Sequence, residues 1–183
     1  MPSPRSDRSA EPLPLTHVML VGGTVGEWAQ LDEERWLQRA SALGDAARAA
    51  GCRWLTLHPY GPDTSATVAA APWTLERDGC TVIVDPEPDG RARLLRGMQR
   101  LAPEAALDEA ALAAAVLAPA GCDPDLVVVL GPPDRLPPSL VWELAYSELV
   151  YLDVAWPDLD VEHLRAALDE YAGRDRRFGG VSS

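Results

Sequence analysis

Four short runs of apolar, β-forming residues recur along the chain and alternate with helical patterns. The runs occupy residues 18–21, 54–58, 81–84 and 126–130. Runs of strand length, separated by segments with apolar residues at helical spacing, are typical of successive strand and helix units. The alternation therefore predicts an α/β fold with a central, mainly parallel sheet surrounded by helices.

The connections between these runs differ in how clearly they predict helices. Residues 32–51 have an acidic first turn, apolar residues at helical spacing and a final glycine, which indicates one helix or two short ones. Helical periods also mark residues 89–102, residues 107–118 and the segment after Asp158. A further helix is predicted to begin near Ser139, because serine is favoured at N-caps. Residues 59–79 contain three prolines and are predicted to form a loop with at most one helical turn.

Composition excludes several classes of function. The 183 residues, 47% of them hydrophobic, fit a single folded domain over 16–183 that follows a disordered tail of residues 1–15. A formal net charge of -12 argues against a nucleic-acid partner, because nucleic-acid-binding surfaces are basic. Three scattered cysteines predict neither a disulfide framework nor a metal site, and no apolar stretch is long enough for a transmembrane segment. We therefore expect a cytoplasmic protein.

Residues 17–29, HVMLVGGTVGEWA, have the pattern of a buried strand, a glycine loop and the start of a helix. Backbone N–H groups in such loops can cradle phosphate. A dinucleotide site is disfavoured because the G-x-G-x-x-G spacing is absent, and the chain contains no lysine for a Walker-type loop. A tight strand-to-helix turn is the simpler interpretation. His17, His58 and His163 lie far apart in the sequence and are interpreted as structural residues.

The segment WELAYSELVYLDVAWPDLD, residues 142–160, is rich in large apolar side chains interrupted by acids. Its simplest interpretation is a core segment. Aromatic residues also concentrate at subunit interfaces, so this pattern equally suits an interface.

Three segments of the chain resemble the cis-prenyltransferases, the undecaprenyl diphosphate synthase family that extends an allylic diphosphate with isopentenyl diphosphate. They are HVMLVGGTVGEWA with the later WLTLHPY, the long DPDLVVVLGPPDRLPPSLVWELAYSELVYLDVAWPDLD, and the terminal RDRRFGG. With DGRARLLRGMQRLA between them, they cover most of residues 17–180. The resemblance implies the family's mainly parallel sheet with surrounding helices, working as a dimer.

The glycine loop departs from the family pattern at the residues that carry its chemistry. Gly23 stands where the resemblance places an aspartate that helps to hold Mg²⁺ on the allylic diphosphate. Val25 and Glu27 stand where the family has an asparagine and an arginine, so a cation that would face phosphate is replaced by an anion. The resemblance therefore implies that this chain has no catalytic residues or metal site of its own.

The isopentenyl diphosphate site of the family is also incomplete. Its two arginines and one serine correspond to Val129, Arg135 and Pro137, so only Arg135 remains as a residual diphosphate contact. Glu148 corresponds to a family carboxylate that shares in metal binding across the dimer. Residues 60–79 are much shorter than their counterpart, which carries the mobile lid and part of the wall of the lipid tunnel.

The family's dimer-forming segment and C-terminal motif are retained. In the family an R-x-G tail reaches the neighbouring subunit's active site and helps to bind diphosphate there, a role that the resemblance assigns to Arg177, Phe178 and Gly179. The expected interface residues are Trp142, Tyr146, Glu148, Leu149, Tyr151 and Trp156. A degraded site with a retained interface and tail is similar to the accessory subunits of heteromeric cis-prenyltransferases, such as the Nogo-B receptor.

The resemblance thus implies a non-catalytic subunit that pairs with a catalytic cis-prenyltransferase as a heterodimer or heterotetramer. Isopentenyl and allylic diphosphates would bind at the shared site, with Mg²⁺ in the partner's active site and no cofactor on this chain. The expected location is cytoplasmic, with peripheral membrane contact through the complex left open. Two alternatives remain. The first is a self-sufficient short-chain transferase that recruits Asp32 or Glu27 for the metal, and the second is a homodimeric diphosphate-binding protein without catalysis.

Overall fold

Six strands form one sheet within residues 15–61, 71–101 and 108–174, which are the residues that the computed structural model describes. The strands are β1 (His17–Val21), β2 (Trp54–His58), β3 (Trp73–Arg77), β4 (Cys80–Val84), β5 (Leu126–Leu130) and β6 (Glu148–Leu152). Their order is β3-β4-β2-β1-β5-β6, and every neighbouring pair is parallel except the antiparallel pair β3 and β4. The predicted α/β fold with a mainly parallel sheet is confirmed.

The helices of the described residues begin at side-chain caps. They are α1 (Val25–Trp28), α2 (Glu33–Ala49), α3 (Gly90–Arg100), α4 (Glu109–Leu117) and α5 (Val161–Ala172), with short 3-10 turns at Glu143–Ala145 and Trp156–Asp158. A threonine caps α1 and an aspartate caps each of the others, because their oxygens accept an otherwise unpaired first-turn N–H. The helices predicted at residues 32–51, 89–102, 107–118 and after Asp158 therefore form.

The sheet is buried on both faces around β1 and β5, whose residues are all buried. Helices α2 and α5 pack over one face, where Leu20, Leu57 and Val128 belong to the larger core cluster. The other face carries a smaller cluster that includes Met19 and Val129, covered in part by Leu140 and its neighbours. Burial on both faces explains why these strands are continuous apolar runs rather than alternating ones.

Residues 59–79 do not form the predicted loop throughout, because Trp73–Arg77 is strand β3. It pairs with β4 across a two-residue turn in which Asp78 and Gly79 have φ of 46° and 95°. An Asp-Gly pair favours this hairpin turn because both central residues need positive φ. The Asp78-Gly79 pair is the feature of the sequence from which this hairpin could have been predicted. Residues 62–70 lie outside the described residues.

The prediction of a helix that begins near Ser139 is wrong. Ser139 is fully buried, and its hydroxyl donates a hydrogen bond to the carbonyl of Tyr60 (3.0 Å) rather than capping a helix. Only the three-residue turn Glu143–Ala145 follows, and the chain then enters β6. The apolar pattern here belongs to the strand and to the packing of the segment against the sheet.

None of the helices in the described ranges is long and apolar enough to cross a membrane. The expected tail lies, apart from Leu15, outside the described residues, and the single domain over 16–183 stays a prediction.

Candidate functional site

Five parallel strands end at the same edge of the sheet, which we call the carboxyl edge. It consists of residues 22–28, 59–61, 85–89, 131–136 and 153–156, which follow β1, β2, β4, β5 and β6. Ligands of open parallel sheets bind outside this edge. The glycine loop therefore lies where a substrate site is expected.

Backbone hydrogen bonds hold the glycine loop against the neighbouring connection. Gly22 N–H donates to the carbonyl of His58 (3.0 Å), and the carbonyl of Gly23 accepts from Tyr60 N–H (2.9 Å). Gly23 has φ of +73°, a conformation that favours glycine. These backbone hydrogen bonds, together with the indole N–H of Trp28 that donates to the Gly22 carbonyl (2.9 Å), fix the turn.

A capping box engages the acid of the same loop. The Glu27 carboxylate accepts from Thr24 N–H (2.7 Å), and the Thr24 hydroxyl accepts from Glu27 N–H (3.1 Å). Asp32 likewise caps α2 by accepting from Arg35 N–H (2.8 Å). Both carboxylates that could replace a missing metal ligand therefore already stabilise helix starts.

Trp156 fills the space beside Gly23. A Cβ atom at position 23 would lie 2.6 Å from Cγ of Trp156, whose side chain is 2% exposed and stacks on Trp28 at 5.1 Å between ring centroids. An aspartate does not fit here without displacing the indole. The residues present on this loop thus do not fit the Mg²⁺ that the family's aspartate helps to hold at this position. The described ranges also contain no group of three or more His, Cys, Asp or Glu residues arranged to hold a metal.

The arginines near the carboxyl edge are paired with acids. Arg93 is 4% exposed and forms an ion pair with Glu143 (Nη1 to Oε1, 2.7 Å) and a longer one with Asp85 (Nε to Oδ2, 3.6 Å). Arg96 contacts the same Asp85 oxygen (2.5 Å). Their charges are neutralised within the chain and are poorly suited to bind a diphosphate.

A groove of about 620 Å³ opens next to the loop, between α2 and the start of α5, and Glu27 and Arg39 are among its lining residues. Arg39 lies over the Trp156 ring at 4.9 Å and donates to the carbonyls of Trp156 (2.9 Å) and Pro157 (3.1 Å). Burial lowers the pKa of this guanidinium. Arg39 therefore holds the Trp156 turn in place.

The three positions matched to the isopentenyl diphosphate site differ in their exposure to solvent. Val129 is fully buried in β5, and Pro137 is buried in the following connection. Arg135 is exposed in the loop between them, with Asp134 3.9 Å away. Among the described ion pairs, Arg135 is paired with Asp134 alone.

Both buried histidines are structural. Nδ1–H of His58 donates to the carbonyl of Asp85 (2.8 Å), and burial lowers the pKa of His58 to about 3. His17 bridges the carbonyl of Cys122 and the hydroxyl of Thr56, each at 2.9 Å, and burial lowers its pKa as well. Neutral rings that already have backbone partners are poor candidates for acid–base catalysis.

The expected interface residues separate into three groups by exposure. Tyr146 is 73% exposed, while Trp142, Glu148, Leu149 and Tyr151 are half-buried on or before the outer strand β6. Trp156 is in the core, packed between Trp28 and Trp36, and its assignment to an interface is wrong. Aromatic composition alone does not distinguish a core residue from an interface residue.

Glu148 lies at the amino end of β6, whereas the glycine loop lies at the carboxyl end of β1, so the two are at opposite ends of the parallel strands. Its register partner on β5 is Leu126, which pairs in turn with Val18 at the start of β1. Gly22 lies four residue steps beyond Val18, which corresponds to about 13 Å along the strand direction. Within one chain, Glu148 and the loop therefore cannot share one metal ion.

Arg174 is a functional candidate that the sequence reasoning missed. Its Nη1 donates to Glu148 Oε2 (3.0 Å) and to the carbonyl of Leu149 (3.0 Å), and its Nη2 donates to Glu170 (2.6 Å). These contacts join the end of α5 to the start of β6. Arg177, Phe178 and Gly179 follow after Asp175 and Arg176 and lie outside the described residues.

Comparison with known proteins gives one family. The sequence model of a family described as putative undecaprenyl diphosphate synthase matches residues 63–179. An undecaprenyl-diphosphate synthase of Lactiplantibacillus plantarum is 39% identical over 104 residues, which are 50% of this chain and 40% of that protein. An isoprenyl transferase of Rhizobium meliloti is 36% identical over 123 residues, 63% of this chain and 50% of that protein. The matched part spans at most half the length of these relatives.

Solved structures of similar fold cover most of the chain. A probable undecaprenyl diphosphate synthase from Campylobacter jejuni has a TM-score of 0.59 at 16% identity, covering 91% of this chain and 100% of that chain. Lavandulyl diphosphate synthase from Lavandula x intermedia, solved with dimethylallyl diphosphate, has a TM-score of 0.61 at 15% identity, covering 88% and 96%. These likenesses show the fold.

Proposed function

Because the chain belongs to the undecaprenyl diphosphate synthase family of cis-prenyltransferases, we propose that it is a non-catalytic subunit of a heteromeric cis-prenyltransferase. Its partner is a catalytic cis-prenyltransferase that binds isopentenyl and allylic diphosphates with Mg²⁺. This chain completes the partner's active site in trans through Arg177, Phe178 and Gly179. The assembly is a heterodimer or a heterotetramer.

The relationship between Gly23 and Trp156 carries this proposal. A catalytic loop that had merely lost its aspartate would leave room for one, whereas here the position of that Cβ is 2.6 Å from a buried indole carbon. Overpacking at a buried site costs about 1–3 kcal/mol. The loop is thus packed as a part of the core, which supports a role in folding rather than in chemistry.

The charges at the carboxyl edge support the same conclusion. Arg93 and Arg96 share Asp85, Arg39 is engaged by backbone carbonyls, and Glu27 faces the groove where the family has a cation. A diphosphate placed there would meet the carboxylates of Asp85 and Glu27, while these three arginines already have partners within the chain. Like charges about 4 Å apart repel by about 1 kcal/mol in water and by about 4 at an effective dielectric near 20.

The two alternatives have less support. A self-sufficient transferase would need Glu27 or Asp32 to leave a helix cap in order to bind metal. A homodimeric diphosphate-binding protein would rely on Arg135, which is exposed and next to Asp134. Glu27 and Asp32 thus lack free carboxylates for a metal ion, and Arg135 does not lie in an enclosed diphosphate site.

The test is an assay of polyprenyl diphosphate formation from isopentenyl and farnesyl diphosphates with Mg²⁺. It compares the full chain alone, a catalytic cis-prenyltransferase of the same organism alone, and their mixture. We expect no product from this chain alone and a higher rate from the mixture than from the partner. Product formed by this chain alone, or a mixture no faster than the partner, would reject the proposal.

The role of the C-terminal motif is tested with Arg177→Ala in the same mixture. The expected result is a lower rate with unchanged association, because guanidinium pairs with diphosphate oxygens in a bidentate geometry. Arg165→Ala is the matched control, since Arg165 is an exposed arginine on α5 paired only with Glu162 in the described ion pairs. An unchanged rate for Arg177→Ala would reject the role of the tail.

A further inference from the structure

We propose that Arg174 is a positioning residue for the trans contribution of this chain: it fixes Glu148 and the departure point of the C-terminal segment together at one corner. The inference rests on the proposed function. It is carried by the contacts of the Arg174 guanidinium with Glu148, Leu149 and Glu170.

The guanidinium joins two elements that are distant in sequence. Nη1 spans the carboxylate of Glu148 and the carbonyl of Leu149, both at 3.0 Å, while Nη2 binds Glu170 on the last turns of α5 at 2.6 Å. Arg174 is the second residue after α5, which ends at Ala172. A planar group with five donors can satisfy three acceptors at once, which a flexible point charge does less well.

The position of this contact matters because β6 is an outer strand of the sheet. Within the described residues it pairs with β5 alone, so its other edge faces away from the sheet. The segment that precedes it presents Tyr146 and Val141 to solvent. A partner that docks along this side would meet Glu148 and the start of the tail side by side.

The positive charge of Arg174 is stabilised by two neighbouring carboxylates, those of Glu170 and Glu148. Hydrogen bonds to Glu170 and Glu148 raise the pKa of Arg174. Its side chain is 33% exposed, and that of Glu148 is 41% exposed. Pairs at this exposure contribute little to stability. The contact therefore serves geometry more than folding.

The contact itself is tested first on the isolated full chain by amide hydrogen exchange. We expect Arg174→Ala to speed exchange at the end of α5, residues 170–174, and at residues 148–150. The control Arg165→Ala removes another α5 arginine whose described partner, Glu162, is on the same helix, so exchange at residues 148–150 should not change. Unchanged exchange in Arg174→Ala would overturn the proposal.

The functional test uses the mixture with the catalytic partner and measures KM for each diphosphate, kcat and subunit affinity separately. Arg174→Ala should raise KM for at least one diphosphate about five-fold, the scale of a partly exposed ion pair of about 1 kcal/mol. Subunit affinity should change less than two-fold. Arg174→Lys should give an intermediate KM, because it keeps the charge and part of the bridging.

A double variant shows whether Arg174 acts through the tail. If Arg177 is already alanine, the further change Arg174→Ala should raise KM by less than it does in the wild-type chain, since effects within one unit are not additive. Full additivity, an unchanged KM, or a loss confined to subunit affinity would overturn the inference. If the wild-type mixture shows no activation at all, the proposed function fails instead. If Arg177→Ala impairs the mixture but Arg174→Ala does not, only this inference fails.

Discussion

The indole of Trp156 occupies the space that any side chain at Gly23 would need. The nearest approach of a Cβ would be 2.6 Å, and the backbone at position 23 has a positive φ. A loop that resembles a metal-binding loop has therefore become part of a tryptophan cluster with Trp28 and Trp36. The indole that packs this loop into the core is also the group that leaves no room for an aspartate at position 23.

Gly23→Ala should destabilise the chain by about 2–4 kcal/mol in urea denaturation, from about 1 kcal/mol of backbone strain and about 1–3 of overpacking. Gly51→Ala is the matched control, because Gly51 also has positive φ (+93°) but no atom within 4 Å of its Cβ position. It should lose only the strain, about 1 kcal/mol. Equal losses at the two positions would show that Trp156 does not constrain Gly23.

Arg93→Met should destabilise the chain strongly, because it leaves the carboxylate of Glu143, 2% exposed, without its partner. Breaking a buried pair in this way costs about 3–5 kcal/mol, and the double variant Arg93→Met with Glu143→Met should recover much of the loss. A double-mutant cycle in urea measures the coupling. The exposed pair Arg165 and Glu162 provides the comparison and should couple by less than about 1 kcal/mol. Similar coupling energies in both pairs would contradict the conclusion that the buried pair Arg93 and Glu143 stabilises the fold more than an exposed pair does.

Stability should fall as the pH drops below 6.5. The pKa of buried His58 is lowered to about 3, so the unfolded chain binds a proton between pH 6.5 and 3 that the folded chain does not. Its contribution is thus present above pH 6.5 and is lost toward pH 3, at about 1.4 kcal/mol per pH unit. His58→Asn should reduce the slope measured between pH 6.5 and 5 by that amount. His163→Asn, at an exposed helix start, is the control, and an unaltered slope in His58→Asn would refute the prediction.

Mg²⁺ with pyrophosphate should leave the melting temperature of the isolated chain unchanged. A ligand at one hundred times its Kd stabilises by about 2.7 kcal/mol, which thermal melting detects readily. A shift that requires Mg²⁺ would favour the self-sufficient transferase. A shift without Mg²⁺ that is abolished by Arg135→Ala would favour the diphosphate-binding protein.

Sequence patterns predicted the parts of the fold that depend on burial and on helical periodicity. The continuous apolar runs in β1 and β5 and the acidic first turns of α2 and α5 are local signals. The hairpin of β3 was missed although its Asp78-Gly79 turn was visible. The helix at Ser139 failed because a buried serine that binds the Tyr60 carbonyl looks, in sequence, like a cap.

The candidate site was predicted only where the family pattern could be aligned. That pattern identified Gly23 as the position that lacks the family's aspartate. It could not show that Trp156, far along the chain, fills the space beside it. The pairing of Arg174 with Glu148, 26 residues apart, also depends on where α5 ends against β6. Such contacts between distant segments have no periodic signature.

The placement of Glu148 and the glycine loop at opposite ends of the parallel strands has an evolutionary consequence. Substitutions that accumulate around Gly23 repack the tryptophan cluster, and none of the described contacts of Arg174 reaches that cluster. If the chain serves another subunit as proposed, the glycine loop and this corner can therefore change under separate constraints. The length of the strands keeps the two surfaces apart, so a substitution at one need not disturb the other.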